Sequence, residues 1–257
     1  MECKRLPVGG RKRYKCCGTD FSAILFNDVD SWSMHCFRCK NPNNRVKKEF
    51  INMAVEVQPR KVKSVPADLI CLSKVNPLIQ QRVYEFIFSK GLTPEMLPEI
   101  FWSSSVSRFI LRVAVNFWIG RDPQGYKQPK WVEYGRGTKC ISVNTPKSIG
   151  KVVLVEDYLS ACKVAYTSKT FGTDTELVIA LMGTALTQEC KASLMKTGAE
   201  VVCMLDDDEA GKDGAARIIK ELSVLLDVSS FTHNGQDPKE MDTQVILDAL
   251  YGGKYER

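Results

Sequence analysis

Apolar and polar positions change rhythm four times along this chain. Two β-like runs, Phe21–Phe26 and Ser31–Phe37, are separated by the turn residues Asn27 and Asp28, which predicts a small hairpin. From Asn41 to Ala67 the sequence is polar and basic apart from a short apolar run at Ile51–Val57, and Gln58–Pro66 reads as a linker. Between Asp68 and Met96 apolar residues recur at helical spacing, interrupted at Gly91-Leu92-Thr93-Pro94. Two short helices are expected there, the second capped by Thr93. Phe109–Ile119 is rich in β-branched and aromatic residues, and after Arg121–Gly125 the pattern resumes at Lys130–Tyr134, as in a hairpin.

Beyond Thr145-Pro146 the rhythm alternates. Strands are predicted at Val152–Val155, Leu177–Met182 and Val201–Leu205, and helices at Asp157–Ser168, Gln188–Thr197 and Ala210–Leu226. Strand and helix units of this length imply an α/β fold with a mostly parallel sheet covered by helices. The whole is read as a small β domain at 1–45, a linker at 46–67, a basic α+β subdomain at 68–148 and an α/β subdomain at 149–257.

At 257 residues, 44% hydrophobic and 26% charged, the composition is that of a globular protein able to bury a core. The net charge of +6 favours an anionic partner. Basic residues crowd the start (Lys4, Arg5, Arg11, Lys12, Arg13, Lys15), whereas Glu156, Asp157 and Asp206–Glu209 lie late in the chain, so basic recognition and acidic chemistry are separated. No run approaches a membrane span and the N-terminus lacks an apolar signal core, so a cytoplasmic protein without a membrane partner is expected. Ten cysteines in that compartment point to metal or burial rather than disulfides.

The predicted parallel strands end at loaded positions: Val155 runs into Glu156, Met182 into Gly183-Thr184-Ala185, and Leu205 into Asp206-Asp207-Asp208-Glu209-Ala210-Gly211. Ligands of such sheets bind beyond the carboxyl ends of the strands. Asp206 and Asp208, two apart, would face the same side of an extended strand end, and Glu156 could join them from a neighbouring strand. Three hard carboxylates suit Mg²⁺ or Mn²⁺. A single acid at a strand end is commonly a helix N-cap, but the ordered combination is not explained that way. Asp207 and Glu209 are read as supporting acids.

Cys36-Phe37-Arg38-Cys39 is a C-x2-C knuckle, and Cys16-Cys17-Gly18 precedes it by a hairpin's length, a spacing suited to Zn²⁺. The adjacency of Cys16 and Cys17 is unusual for a knuckle. Cys17, before the turn glycine, is the firmer ligand, Cys16 the provisional one, and Cys3 and His35 are its substitutes. Cys71, Cys140, Cys162, Cys190 and Cys203 sit singly in apolar surroundings and read as buried small hydrophobes. Arg108, Arg112, Arg121, Lys127, Lys130 and Trp131 interleave on predicted strands as a face that could hold phosphates and stack bases.

Val155-Glu156-Asp157, Gly183-Thr184-Ala185-Leu186-Thr187 and Asp206–Gly211 resemble the TOPRIM signatures of primases and topoisomerases, and the wording of the second favours primases. Gln236-Asp237-Pro238-Lys239-Glu240 is similar to the element that follows the aspartate motif in that fold, which implies that Asp237 faces the metal. The cysteine segment resembles the N-terminal zinc ribbon of bacterial and phage (DnaG-type) primases, and the Gln128-Pro129-Lys130-Trp131 run resembles a phage-primase motif near the active site. The resemblance covers nearly the whole chain in order. It implies RNA primer synthesis from ribonucleoside triphosphates on single-stranded DNA, with Glu156, Asp206 and Asp208 as metal-binding catalytic acids. Cys16, Cys17, Cys36 and Cys39 would hold structural zinc, and Arg112, Arg121, Lys130, Trp131, Gly183, Thr184, Asp237 and Lys239 would bind nucleotide or template. No phosphate loop of the G-x-x-x-x-G-K-[S/T] type occurs, so a helicase partner would be a separate chain. The rival readings are a RecR-type recombination mediator, which joins zinc and TOPRIM elements without catalysis, and a TOPRIM nuclease.

Overall fold

The computed structural model describes residues 2–39, 45–47, 62–137 and 139–252. The chain divides into two compact units, Met1–Val62 and Lys63–Arg257. The apolar run at Ile51–Val57 and most of the expected linker lie outside the described residues.

The first unit is an antiparallel sheet of β1 (Gly10–Tyr14), β2 (Ala23–Asn27), β3 (Ser31–Cys36) and β4 (Arg45–Lys47), paired in chain order. In β2 the period-two rule sends Ala23, Leu25 and Asn27 inward. β1 carries Arg11, Lys12 and Arg13, all exposed, and Arg11 lies over the Phe26 ring at 5.4 Å. The expected first strand starts later than its apolar run: Phe21 stays outside the sheet, exposed, with the Lys15 ammonium 5.3 Å from its ring centroid.

The second unit opens with an antiparallel sheet ordered β5 (Leu69–Cys71), β6 (Ile100–Ser103), β7 (Arg108–Ala114), β8 (Phe117–Arg121), β9 (Trp131–Gly135). Helix α1 (Pro77–Ser89) lies between β5 and β6, with Pro77 in its first turn and Asn76 accepting from the Leu78 N–H. The second predicted helix is only a 3₁₀ turn, Pro94–Met96. Pro98 removes a donor and disfavours helical backbone at Leu97, so nothing can propagate. Phe109–Ile119, read as one strand, turns back on itself at Val115-Asn116 to give β7 and β8, with a register shift between Arg112 and Ala114.

The last sheet is ordered β10 (Ile141–Ser142), β12 (Glu176–Ala180), β11 (Lys151–Val155), β13 (Glu200–Met204), β14 (Val228–Ser230), parallel except for β10. Its helices are α2 (Tyr158–Phe171), α3 (Gln188–Thr197), α4 (Glu209–Leu222) and α5 (Thr243–Tyr251). Both faces of β11 are dry because Val153 and Val155 pack with α2 and α5 while Val152 and Leu154 pack with α3 and α4. Burial on two faces is why these strands read as continuous apolar runs. The first of these cores continues into the antiparallel sheet through Phe109, Leu111 and Phe117, and into α1 through Val83 and Ile87. β10, β14 and α5 are additions to the predicted pattern.

Cys162, Cys190 and Cys203 are buried as expected, but Cys71 and Cys140 are only half-buried. Among the described residues no helix is long and apolar enough to cross a membrane.

Candidate active site and metal centre

The carboxyl ends of β11, β12 and β13 lie side by side, and the acids begin where the strands stop. Glu156 follows β11 directly, and Asp157 caps α2 by accepting from the N–H groups of Leu159 (2.8 Å) and Ser160 (3.1 Å). After β13, Asp208 caps α4 by accepting from the Gly211 N–H at 2.8 Å. The strand ends at Met204, so Asp206 and Asp208 are not paired by strand periodicity. Asp206 belongs to the connecting turn, and Asp208 is exposed at the start of a helix.

These acids form one electrostatic group with Asp237. Burial, then the negative charges of Asp208, Asp157 and Asp237, push Glu156 above the ordinary carboxylate range. Burial is also the main reason that Asp206 is pushed up to about 7, and Asp157, Asp237 and Glu156 add to it. Oδ1 of Asp206 is buried without a hydrogen-bond partner among the described residues, an orphaned oxygen of the kind that a cation or its water satisfies. Glu156, Asp206 and Asp208 therefore suit a divalent cation in charge and donor type. Among the described residues they do not converge to within 4.8 Å as the cysteines do.

The group has its own internal cation. Lys239, 8% exposed, donates from Nζ to Asp157 Oδ2 at 2.9 Å and to Asp237 Oδ2 at 2.5 Å. Burial works against its charge, but Asp157 and Asp237 outweigh burial and hold the ammonium above its ordinary range. Its side chain is thus engaged with carboxylates rather than presented to a phosphate. Sequence spacing gave no sign of the Asp157–Lys239 pair, 82 residues apart.

Glycines let the backbone close around this group. Gly183, at φ +138°, donates to the Glu156 carbonyl at 3.2 Å and so fixes the loop after β12 against the end of β11. A Cβ on Gly211 would fall onto the Asp206 carbonyl, and one on Gly214 would stand 2.8 Å from Thr184 Cβ. Helix α4 is therefore seated directly on both acid-site loops. Thr184 accepts from Arg217 at 3.3 Å. Asp207 is a brace: it accepts from the Gly235 N–H and pairs with Lys212, both at 2.6 Å, and Lys212 foremost holds it below the usual carboxylate range.

In the first unit the four cysteines meet. Sγ of Cys16 lies 3.7 Å from that of Cys39, Cys17 is 3.7 Å from Cys36, and all four sulfurs fall within 4.8 Å of one another. A tetrahedral ion with sulfurs at about 2.3 Å sets them about 3.8 Å apart, so the set fits zinc. Cys36 is drawn down to about 6 by the Cys39 backbone N–H, with help from Arg38 and Ser22. Cys16 is pushed up to about 12, chiefly by the hydrogen it shares with Cys39. The two substitutes stay apart from this cluster; His35 packs edge-on against Phe37 at 4.8 Å.

The basic residues do not share a face. Arg112 is exposed and lies over Trp118 at 5.6 Å on one side of the antiparallel sheet. Arg121 is half-buried on the other side between Phe86 and Trp131, at 5.1 and 5.5 Å. Strand alternation separates them. Arg108 is buried and donates to the carbonyls of Lys130 (2.8 Å) and Pro129 (2.9 Å), a structural clasp. The Lys127 ammonium donates to the Val106 carbonyl, and Lys130 is exposed.

Residues 155–242 match the family described as Toprim-like, about a third of the chain. No curated protein matches the sequence. Solved structures similar to it include two primases. The Aquifex aeolicus primase (zinc-binding and RNA polymerase domains) is 16% identical with a TM-score of 0.47, over 96% of this chain and 79% of that one. The primase fragment of the bacteriophage T7 primase-helicase protein is 14% identical with a TM-score of 0.40, over 93% and 98%.

The Cys36→Ser, Cys39→Ser double variant should lose bound zinc by elemental analysis and lose the β-sheet signal of the first unit, since a domain with so little core depends on its metal. Gly211→Ala should displace the Asp206 backbone and weaken Mn²⁺ binding in a calorimetric titration while secondary structure is kept. A carboxyl whose folded pKa is raised favours the fold below its unfolded pKa and disfavours it as pH rises through the folded value. Metal-free protein should therefore lose stability between about pH 4 and 7 through Asp206. Asp206→Asn should match the parent's melting temperature at acidic pH and exceed it at pH 8.

Proposed function

We propose that this chain, with a Toprim-like domain at residues 155–242 and a four-cysteine site ahead of it, is a DnaG-type DNA primase that makes short RNA primers on single-stranded DNA. The observation that carries the reading is the Toprim-like segment itself. It sets Glu156, the Gly183–Thr187 loop and Asp206–Gly211 at the ends of adjacent parallel strands and leaves Asp206 desolvated with an orphaned oxygen.

In primer synthesis the 3′-hydroxyl of one ribonucleotide attacks the α-phosphorus of a triphosphate, and pyrophosphate leaves. Such transfers ask a protein mainly for positioning and charge neutralisation. Glu156, Asp206 and Asp208 would hold Mg²⁺ or Mn²⁺, which neutralises triphosphate charge when bound. The chain's own residues keep this constellation in shape: Asp157 and Asp208 start two helices at it, and the Lys239 ammonium offsets Asp157 and Asp237. Arg112 with Trp118, and the exposed Lys130, are the best placed of the basic residues to meet template phosphates and bases. The zinc unit would hold template or nascent primer, its exposed β1 arginines facing the anionic strand. Ribonucleoside triphosphates are the substrates, and a separate replicative helicase is the expected partner.

With labelled ribonucleotides, mixed-sequence single-stranded DNA and Mg²⁺ or Mn²⁺, the protein should yield short RNA products. Glu156→Gln should reduce them about a hundredfold or more, the order seen when one preorganised electrostatic stabiliser of a transition state is removed, with DNA binding retained. DNA binding with no product under either metal would replace this reading with that of a non-catalytic mediator.

A further inference from the structure

Helix α2 carries a lysine whose ammonium, among the described residues, is held by backbone carbonyls rather than by a carboxylate. Lys163 is 6% exposed, and its Nζ donates to two backbone carbonyls, Gly91 at 2.8 Å and Lys239 at 3.0 Å. Burial draws its pKa down, countered by the charge of Asp242. A buried ammonium satisfied by carbonyl dipoles is a costly device for stability alone, because an apolar residue would fill the same space without the desolvation cost.

Its partners explain the choice. Lys239 is the residue whose side chain neutralises Asp157 and Asp237, so Lys163 grips the backbone of the acid group's internal cation. Gly91, the other partner, follows α1 and has φ +67°; a Cβ there would stand 2.6 Å from the same Lys239 carbonyl. Lys90 adds an ion pair to Glu240 at 3.3 Å. The segment after α1 thus meets residues 239–240 at two places, Gly91 against the Lys239 carbonyl and Lys90 with Glu240, and Lys163 bridges the two segments.

We infer that Lys163 is a positioning residue for the Toprim-like site: by clasping Gly91 and the Lys239 carbonyl it keeps the Lys239 ammonium between Asp157 and Asp237, where it competes with divalent cations for the acid group. The inference rests on the reading of Glu156, Asp206 and Asp208 as the cation site. Releasing the clasp lets the ammonium withdraw from the carboxylates and leaves more of their charge to an incoming ion. Cation binding should tighten while synthesis falls, a divergence that general loosening of the fold would not produce.

The test is a Mn²⁺ titration of the full-length protein followed by electron paramagnetic resonance, without nucleotide, with Asp206→Asn subtracted to isolate the site. Lys163→Met should bind Mn²⁺ about three- to tenfold more tightly, the range expected when a neighbouring positive charge is weakened, while RNA synthesis drops. Lys163→Arg should return the affinity toward that of the parent. Gly91→Ala disturbs the same carbonyl from the other side and should shift affinity in the same direction, which covers the case in which Lys163→Met does not fold. Unchanged or weaker Mn²⁺ binding in the folded variants would overturn the role given to Lys163 and leave the cation site standing. Absence of any Asp206-dependent Mn²⁺ binding in the parent would overturn both.

Discussion

An ammonium held between two carboxylates, Lys239 between Asp157 and Asp237, is the interaction on which the acid group depends. Like charges repel more strongly at the effective dielectric of a protein than in water, and here several acids press on Glu156 and Asp206. Without an internal cation, strands as dry as β11 and β13 could not bring so many carboxylates to one edge. Lys239 offsets part of the repulsion and leaves the remainder, concentrated on Glu156, Asp206 and Asp208, as an attraction for a divalent ion.

The same acids also do ordinary structural work. Asp157 and Asp208 are N-caps, so the commonplace reading of an acid at a strand end is correct for both, yet each also contributes charge to the group. Helix α4 shows how closely structure and site are joined. Gly211 lies on the Asp206 carbonyl and Gly214 on Thr184, so the helix that supports the sheet also sets the two loops. A methyl group at either position would have to move the loop or the helix.

The parallel half of the fold was legible because strands buried on both faces read as unbroken apolar runs, and because the acids and glycines follow those runs immediately. The four cysteines were legible from their spacing. What stayed hidden depends on tertiary placement. Nothing in the sequence around Lys163 or Asp157 announces a partner 76 or 82 residues later. Arg112 and Arg121 were read as one surface from their basic and aromatic company, whereas alternation along the paired strands β7 and β8 puts them on opposite faces, Arg112 beside its cross-strand partner Trp118 and Arg121 between Phe86 and Trp131. β10 is two residues long, below what periodicity can register, and the helix expected after Thr93 was cut short by Pro98.

The sulfur cluster has a thermodynamic consequence. Its ligands come from two segments separated by the β2–β3 hairpin, so a bound ion closes that loop, and ion binding and folding of the first unit become one equilibrium. Each tenfold rise in free zinc above the dissociation constant would then add about 1.4 kcal/mol to that unit, while the cores built on Phe109 and Leu154 owe nothing to it. One polypeptide would thus carry two stabilities, one fixed by packing and the other set by the zinc buffering of its surroundings.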